Sequence, residues 1–414
     1  MPQSTVLIIG CGIAGPILAL LLKAKGYHPV VFEKVRQLGD AGASLMLMPN
    51  GLKVLNMVGL AEDIYASSFP LQTLEDFSAS GEPLGSSTLP STFQERYGQR
   101  AVGVKRTWLN LTLKNRMLAS GIELREGWEL GSIQEDAQSV TAAFTNGEKA
   151  QGLFLIGCDG IKAASRIALL KRKSVQQPTP NFTGLTQTSG ISPVPNNLDV
   201  SSLRNWFGEG VHFISYPVSR DRISWAVTLP QTGESPESWR LYKDQDMHLL
   251  KDELNGVLQG FESSILNLVQ SAERLLRFGL FDRRTLDVDE WFSSRVVLAG
   301  DAAHPTSPHL GQGANQALED CFHLSQALPD LTDPNMSVEK VSLQSIFQQY
   351  AQKRQPRTAA LVKGARAAGE KRVVTTGTKD CESRNQRVKA EWLDTVAVEA
   401  RFDSLCREPF EIHS

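Results

Sequence analysis

Short apolar runs closed by glycine alternate along this chain with longer stretches in which apolar residues recur every three or four positions. Thr5–Ile9 (TVLII) reads as a buried strand, and Gly15 to Lys25 as an apolar helix. Gly26 then interrupts, and His28–Phe32 (HPVVF) reads as a second strand. Strand, helix and strand at this spacing predict a βαβ unit on a parallel sheet. Further along, 51–60 reads as helix, 101–105 as strand and 107–119 as a helix with Leu109, Leu113 and Met117 on one face. Leu153–Cys158 reads as another buried strand.

The texture changes near residue 171. Lys171–Gly184 is polar and carries proline, and Pro193–Ser202 is loop-rich. Val211–Val218 and Arg222–Leu229 are strand-like and joined by a short polar turn, which predicts an antiparallel hairpin. Residues 246–271 read as one or two helices, and Arg295–Ala299 (RVVLA) returns to the buried-strand texture of the start. The pattern predicts an α/β chain in four parts. A nucleotide-binding domain occupies 1–170 and resumes at 291–345, a smaller sheet domain is inserted at 171–290, and a C-terminal helical region covers 346–414. No internal repeat is apparent.

Composition narrows the partners. A formal charge of −2 argues against a nucleic-acid partner bound through its phosphates. Cys11, Cys158, Cys321, Cys381 and Cys406 stand singly with no CxxC pair, so neither a zinc knuckle nor a disulfide framework is indicated. That usage, the lack of a secretory signal and the lack of any apolar run approaching the roughly 18–20 residues that span a bilayer predict a soluble cytoplasmic protein without an integral membrane segment. His304 and His309 sit in one loop without a nearby carboxylate or cysteine cluster, so no metal is expected.

Gly10-Cys11-Gly12-Ile13-Ala14-Gly15 is a GxGxxG between the first strand and the first helix. The first glycine permits the tight turn, the second lets the backbone approach a pyrophosphate, and the third lets helix and strand pack closely. The helix N-terminus offers N–H groups to the phosphates. Glu33 ends the second strand, beside Lys34, where a carboxylate accepts hydrogen bonds from ribose hydroxyls. These features point to a dinucleotide and leave FAD and NAD both open.

A second motif narrows the choice. Residues 299–320 read AGDAAHPTSPHLGQGANQALED. Asp301 follows Gly300 at a strand end, where it can accept from ribityl hydroxyls. Pro305 and Pro308 stiffen the loop, and Gly311 and Gly313, followed by Ala314, let backbone approach a flat ring. A helix then begins near Gln312–Asn315, its N-terminus favouring negative charge on the pyrimidine edge of a reduced flavin. This stretch resembles the GDAAH…P…GQG…N…ED signature of group A flavoprotein aromatic hydroxylases, the para-hydroxybenzoate hydroxylase-like superfamily. Cys158-Asp159-Gly160 with Arg166 resembles the family motif whose Asp-Gly serves both FAD and the pyridine nucleotide. Ala163 stands where the family has serine, with Ser165 close by. Arg106 matches the family arginine that reaches the FAD, and Gly42-Ala43-Ser44 with Pro49-Asn50-Gly51 resembles its flavin-facing segment. The resemblance covers about 1–370 and is closest to fungal members that tailor secondary metabolites.

The resemblance implies a Rossmann-like FAD-binding domain of the GR2 type with an inserted β-sheet substrate domain and C-terminal helices. It implies FAD held by Gly10, Gly12, Ala14, Gly15, Glu33, Lys34, Ala43, Ser44, Arg106, Asp159, Asp301, Pro308, Gly311, Gly313 and Ala314. NADPH or NADH binds transiently as co-substrate, since only one strand–glycine–helix fingerprint is present. A flavin C4a-hydroperoxide then hydroxylates or epoxidises an electron-rich aromatic molecule, typically a phenol or indole. His212, Ile214 and Tyr216 share one face of their strand. Tyr216-Pro217 resembles a family position where tyrosine helps hold or deprotonate substrate, so Tyr216 and His212 are the catalytic candidates, with Trp225 and Phe207 as further substrate contacts. Some relatives carry arginine where Ser189 precedes Gly190, and the missing cation favours a neutral substrate such as an indole alkaloid. The expected assembly is a monomer or weak dimer. An NAD-dependent dehydrogenase would leave 299–320 without a purpose, a flavin-dependent halogenase would carry a WxWxIP segment that this sequence lacks, and a non-catalytic flavin-binding protein would show no substrate-stimulated turnover.

Overall fold

A computed structural model of the protein describes residues 4–37, 43–177, 179–195, 199–233, 239–242, 244–338 and 341–411. The buried apolar runs assemble into a five-stranded parallel sheet in the order Val296–Leu298, Phe154–Gly157, Thr5–Ile9, His28–Glu33, Glu123–Glu126. Every residue of the central strand Thr5–Ile9 is buried, as a strand covered on both faces requires. Helix Ala14–Ala24 buries Ile17, Leu18, Leu21 and Leu22. Helix Arg106–Ala119 packs beside it through Leu109, Leu113 and Met117, the face predicted from spacing. Helix Gly313–Ala327 packs against both Ala14–Ala24 and helix Pro49–Met57.

The second layer is an eight-stranded sheet ordered Trp239–Tyr242, Arg274–Asp282, Asn181–Pro193, Arg222–Pro230, His212–Pro217, Ser202–Phe207, Thr73–Ser78, Pro83–Ser87. The predicted hairpin is there, with Tyr216 opposite Ser224 in antiparallel register. Two strands of the first segment join this sheet, Thr73–Ser78 pairing in parallel with Ser202–Phe207. Helices Asp244–Val257 and Ser263–Gln270 cover one face of it, burying Leu250, Leu254, Ile265 and Leu268 against Trp206, Phe213 and Trp225. The 30-residue helix Leu343–Arg372 is about 45 Å long. It starts beside the parallel sheet, where Phe347 meets Phe154, and ends under His309, whose ring lies over Gly369. Helix Thr378–Leu393 then packs on the edge strand Pro83–Ser87, and helix Thr395–Cys406 packs against Thr378–Leu393 and against helix Pro49–Met57. Among the described residues no helix is long and apolar enough to cross a membrane.

Candidate active site

The two glycine motifs meet in one cleft between the sheets, with a volume of about 1010 Å³. That is at the upper end of ligand sites, roughly 300–1,000 Å³, and suits a dinucleotide with a small molecule beside it. Gly10 has a φ of +105°, and a Cβ there would lie 2.4 Å from the Cys158 carbonyl oxygen. A Cβ on Gly15 would lie 2.0 Å from the Gly10 oxygen, so only glycine lets the helix start flush with the turn. Gly12 differs, because nothing stands within 4 Å of the place its Cβ would occupy. With Ile13 and Ala14 it forms cleft wall, and the helix begins without a side-chain cap, leaving its first-turn amides to an anion. Glu33 is buried and accepts the amides of Cys11 at 2.8 Å and Val35 at 3.1 Å. Gly10, Gly15 and Glu33 therefore shape the turn from behind the cleft, while Lys34 is exposed outside it.

Asp301 stands in the cleft wall, in the turn that follows Val296–Leu298. No donor reaches its carboxylate among the described residues, and burial raises its pKa although Arg106 and His304 oppose the shift. A half-buried carboxylate without a partner is unfavourable until a ligand supplies donors. Arg106, Ala43, Ser44, Pro308, Gly311, Gly313 and Ala314 line the same cleft. Gly42 lies outside the described residues.

Sequence reasoning passed over the network that holds Asp301 in place. Asp320 accepts Gly300 N at 2.7 Å, His304 Nε2 at 2.5 Å and Arg354 Nε at 2.7 Å. Burial pushes this carboxyl up, but His304 and Arg354 overcome it and hold Asp320 well below the usual carboxylate range. Glu319 beside it accepts Arg354 Nη1 at 2.6 Å, Arg357 Nε at 2.9 Å and Asn50 Nδ2 at 2.6 Å. Asn315 accepts the Met48 amide at 2.9 Å and donates to the Met46 and Gly311 carbonyls at 3.0 and 2.9 Å. The Asn, Glu and Asp of the second motif are thus posts that fix the loop, and the signal for them was their spacing on one helix. His304 serves Asp320 and His309 packs on Gly369, and no group of three or more potential metal ligands occurs among the described residues.

Asp159 does not line the cleft, although Cys158 and Gly160 on either side of it do. Its carboxylate accepts Ser165 N at 2.9 Å and Ser165 Oγ at 2.5 Å. Ser165, two positions beyond Ala163, is thus the serine that ties this turn. Arg166 is buried and donates to the Ala303 and Arg284 carbonyls at 3.3 and 3.0 Å, with burial, Arg283 and Arg284 lowering its pKa to about 10.

On the larger sheet, Ile214 and Tyr216 face the cleft with Gln187, Ser189, Asn205 and Ser224. The Tyr216 hydroxyl lies 2.7 Å from Ser44 Oγ, which donates to Ser224 Oγ at 2.5 Å. Because the Ser44 proton is committed to Ser224, the tyrosine donates to Ser44. Burial raises the Tyr216 pKa, and the two serines offset part of the rise. His212 is a correction to the sequence reading: it does not line the cleft. Its Nε2 lies 3.1 Å from Asn205 Oδ1, and Asn205 Nδ2 donates to Asp76 Oδ1 at 2.8 Å, so His212 carries its proton on Nε2 and acts by orienting Asn205. Burial, then Arg372, His309 and Arg384, hold its pKa well below the ordinary value. Phe207 is buried beside His212, outside the cleft wall. Trp225 touches the wall but is fully buried, its ring over Gly190 and its indole N–H donated to Ser192 Oγ at 2.8 Å.

The sequence profile of a family described as an FAD binding domain matches residues 3–365. The chain is 33% identical to a 3-amino-4-hydroxybenzoate 2-monooxygenase of Streptomyces cremeus over 93% of its own length and 91% of the relative's. It is 27% identical to a 3-hydroxybenzoate 6-hydroxylase of Polaromonas naphthalenivorans, covering 88% and 87%. In fold it is similar to Klebsiella pneumoniae HpxO complexed with FAD and uric acid, with a TM-score of 0.84, 23% identity and coverage of 99% and 98%. A salicylate hydroxylase substrate complex matches with a TM-score of 0.74, 22% identity and coverage of 96% and 97%.

Proposed function

Because this chain belongs to the FAD-binding-domain family, here alongside flavin-dependent aromatic hydroxylases, we propose how its cleft works as an aromatic monooxygenase. Bound FAD supplies acceptance of hydride from reduced nicotinamide and activation of O2 for transfer of one oxygen atom to an electron-rich ring. Gly12, Ala14 and the first turn of helix Ala14–Ala24 hold the pyrophosphate. Asp301 accepts from the ribityl hydroxyls, and Arg106 with the Pro308–Ala314 segment borders the ring. The observation that carries this reading is the Asp301 carboxylate, which faces the cleft with no donor among the described residues.

The substrate lies between that loop and the larger sheet. Tyr216 meets its phenolic or amino group, and the chain Tyr216–Ser44–Ser224, which ends as a hydrogen bond to the Gly190 carbonyl at 3.4 Å, orients the tyrosine hydroxyl so that its lone pairs face the substrate. Hydroxylated benzoates are the first candidates, because two of the relatives act on them. NADPH or NADH docks transiently, since the single glycine fingerprint is taken by FAD. A role in secondary metabolism, a cytoplasmic location and a monomeric or weakly dimeric state complete the proposal; the five cysteines, all unpaired, suit a reducing compartment.

The test is purification with FAD, followed by NAD(P)H oxidation with and without an aromatic substrate under 18-O-labelled oxygen. The expected result is a yellow protein, substrate-stimulated oxidation and one labelled oxygen in the product. A well-folded preparation that stays colourless in excess FAD would end the proposal.

A further inference from the structure

The cleft wall carries charge that FAD-binding residues leave unused. Ser189 lines the cleft without supplying a cation, which on sequence grounds favoured a neutral substrate. The fold brings a cation from elsewhere. Arg372, the last residue of helix Leu343–Arg372, lines the cleft, and so do Arg387 and Arg401 from the two helices that follow. Arg372 Nη1 donates to the His309 carbonyl at 2.6 Å, which fixes the guanidinium beside the loop that borders the flavin. Among the described residues no carboxylate forms an ion pair with it. Burial, and then the nearby Arg401, disfavour its charge, and only Asp76 acts in the other direction.

The acids of the cleft wall are already committed. Asp76 accepts Asn205 Nδ2 and Trp392 Nε1, both at 2.8 Å. Glu391 pairs with Lys371, and Asp394 caps its helix by accepting the Ala397 amide at 3.0 Å. Asp301 lies on the FAD side, opposite Arg106. Leu74, Leu203, Ile214 and Phe402 supply apolar wall for a ring. A guanidinium with spare donors, little solvent and a second cation nearby matches one carboxylate in bidentate geometry.

We propose that Arg372 is the residue that holds the carboxylate of a hydroxybenzoate-type substrate, with Arg401 assisting; this rests on the monooxygenase reading above. Arg372 is a specificity-determining residue, supplied by the C-terminal helix instead of the sheet position of Ser189.

The experiment titrates FAD-loaded protein with 3-hydroxybenzoate and, separately, 3-hydroxybenzamide, following perturbation of the flavin absorbance. The two probes differ in charge and little in shape. The acid is expected to bind roughly 10- to 100-fold tighter, the worth of a charge-assisted hydrogen-bonded pair. In Arg372→Gln the ratio falls to near one, in Arg372→Lys part of it survives, and in Arg401→Gln it falls less. Equal binding of acid and amide by the parent protein, or an unchanged ratio in Arg372→Gln, overturns the proposal. So does an effect confined to the KM for NADPH. Should Arg372→Gln fail to retain FAD because its contact with His309 is lost, the parent ratio, Arg372→Lys and Arg401→Gln still decide. If a neutral indole binds and is oxygenated while acids are ignored, this inference falls and the monooxygenase reading stands. If no aromatic compound, charged or neutral, perturbs the flavin, both fall.

Discussion

Replacing Asp301 with asparagine separates cofactor binding from folding at a single side chain. The carboxylate has no donor among the described residues, and burial raises its pKa despite Arg106. Its removal therefore costs the apoprotein little. Loss of a desolvated charge and loss of the attraction to Arg106 act in opposite directions, and apoprotein stability at pH 7 is expected to change by less than about 1 kcal/mol. FAD binding is affected differently, because a hydroxyl–carboxylate hydrogen bond is worth about 1.5–3 kcal/mol, or roughly 10- to 150-fold in Kd. Urea denaturation of the apoprotein gives the first quantity, and quenching of FAD fluorescence gives the second. The pH dependence follows in sign. Donors from FAD favour the ionised form, so binding releases a proton and affinity falls as pH drops toward the raised pKa of Asp301. The asparagine variant, with nothing to ionise at this position, has no such dependence. An apoprotein destabilised by several kcal/mol with FAD affinity unchanged would overturn this account and make Asp301 a structural cap of the Gly300 turn.

Three further predictions address the substrate side and the fold. In Gly103→Ala the new Cβ would lie 2.2 Å from the Pro217 oxygen and 2.7 Å from Tyr216 Cδ2, an overpacking that costs about 1–3 kcal/mol. Its Tm is expected to drop and its substrate KM to rise with FAD content intact, and a parental Tm and KM would count against the close approach. Tyr216→Phe loses the hydroxyl chain through Ser44 and Ser224, and kcat/KM for a phenolic substrate is expected to fall about 100-fold with FAD retained. Equal turnover would remove Tyr216 from substrate activation. His309 is held neutral, its pKa lowered to about 3 by burial and then by Arg372. The unfolded chain takes up a proton near pH 6.5 that the fold refuses, so stability is lost as pH falls from about 6.5 toward 3, by up to about 1.4 kcal/mol per pH unit. His212 acts in the same direction. Urea midpoints at pH 7.5, 6 and 5 measure the slope, and a flat series would contradict it.

The glycine turn, its flanking strands and the loop after Asp301 were legible because each rests on local chemistry: apolar runs, a left-handed turn, a helix N-terminus a few residues away. Glu319 and Asp320 stood in the sequence only as the adjacent acids that close the second motif, and their role was not legible because their partner Arg354 comes from another helix. His212 shows where period-two reasoning stopped. It shares a strand face with Tyr216, yet it pairs with Phe207 under a backbone contact from Arg384, so Asn205 reaches the cleft in its place.

The parallel nucleotide-binding layer and the flavin loop could be read from the chain, since sheet strands, tight turns and helix starts are chosen by residues close together along it. The substrate end could not, because long-range packing sets it. Asp76 enters the larger sheet by pairing with Asn205, 129 positions away, and Arg372 reaches the cleft because a 30-residue helix carries it there. Such contacts depend on register and on the direction of whole elements, which local pattern does not encode.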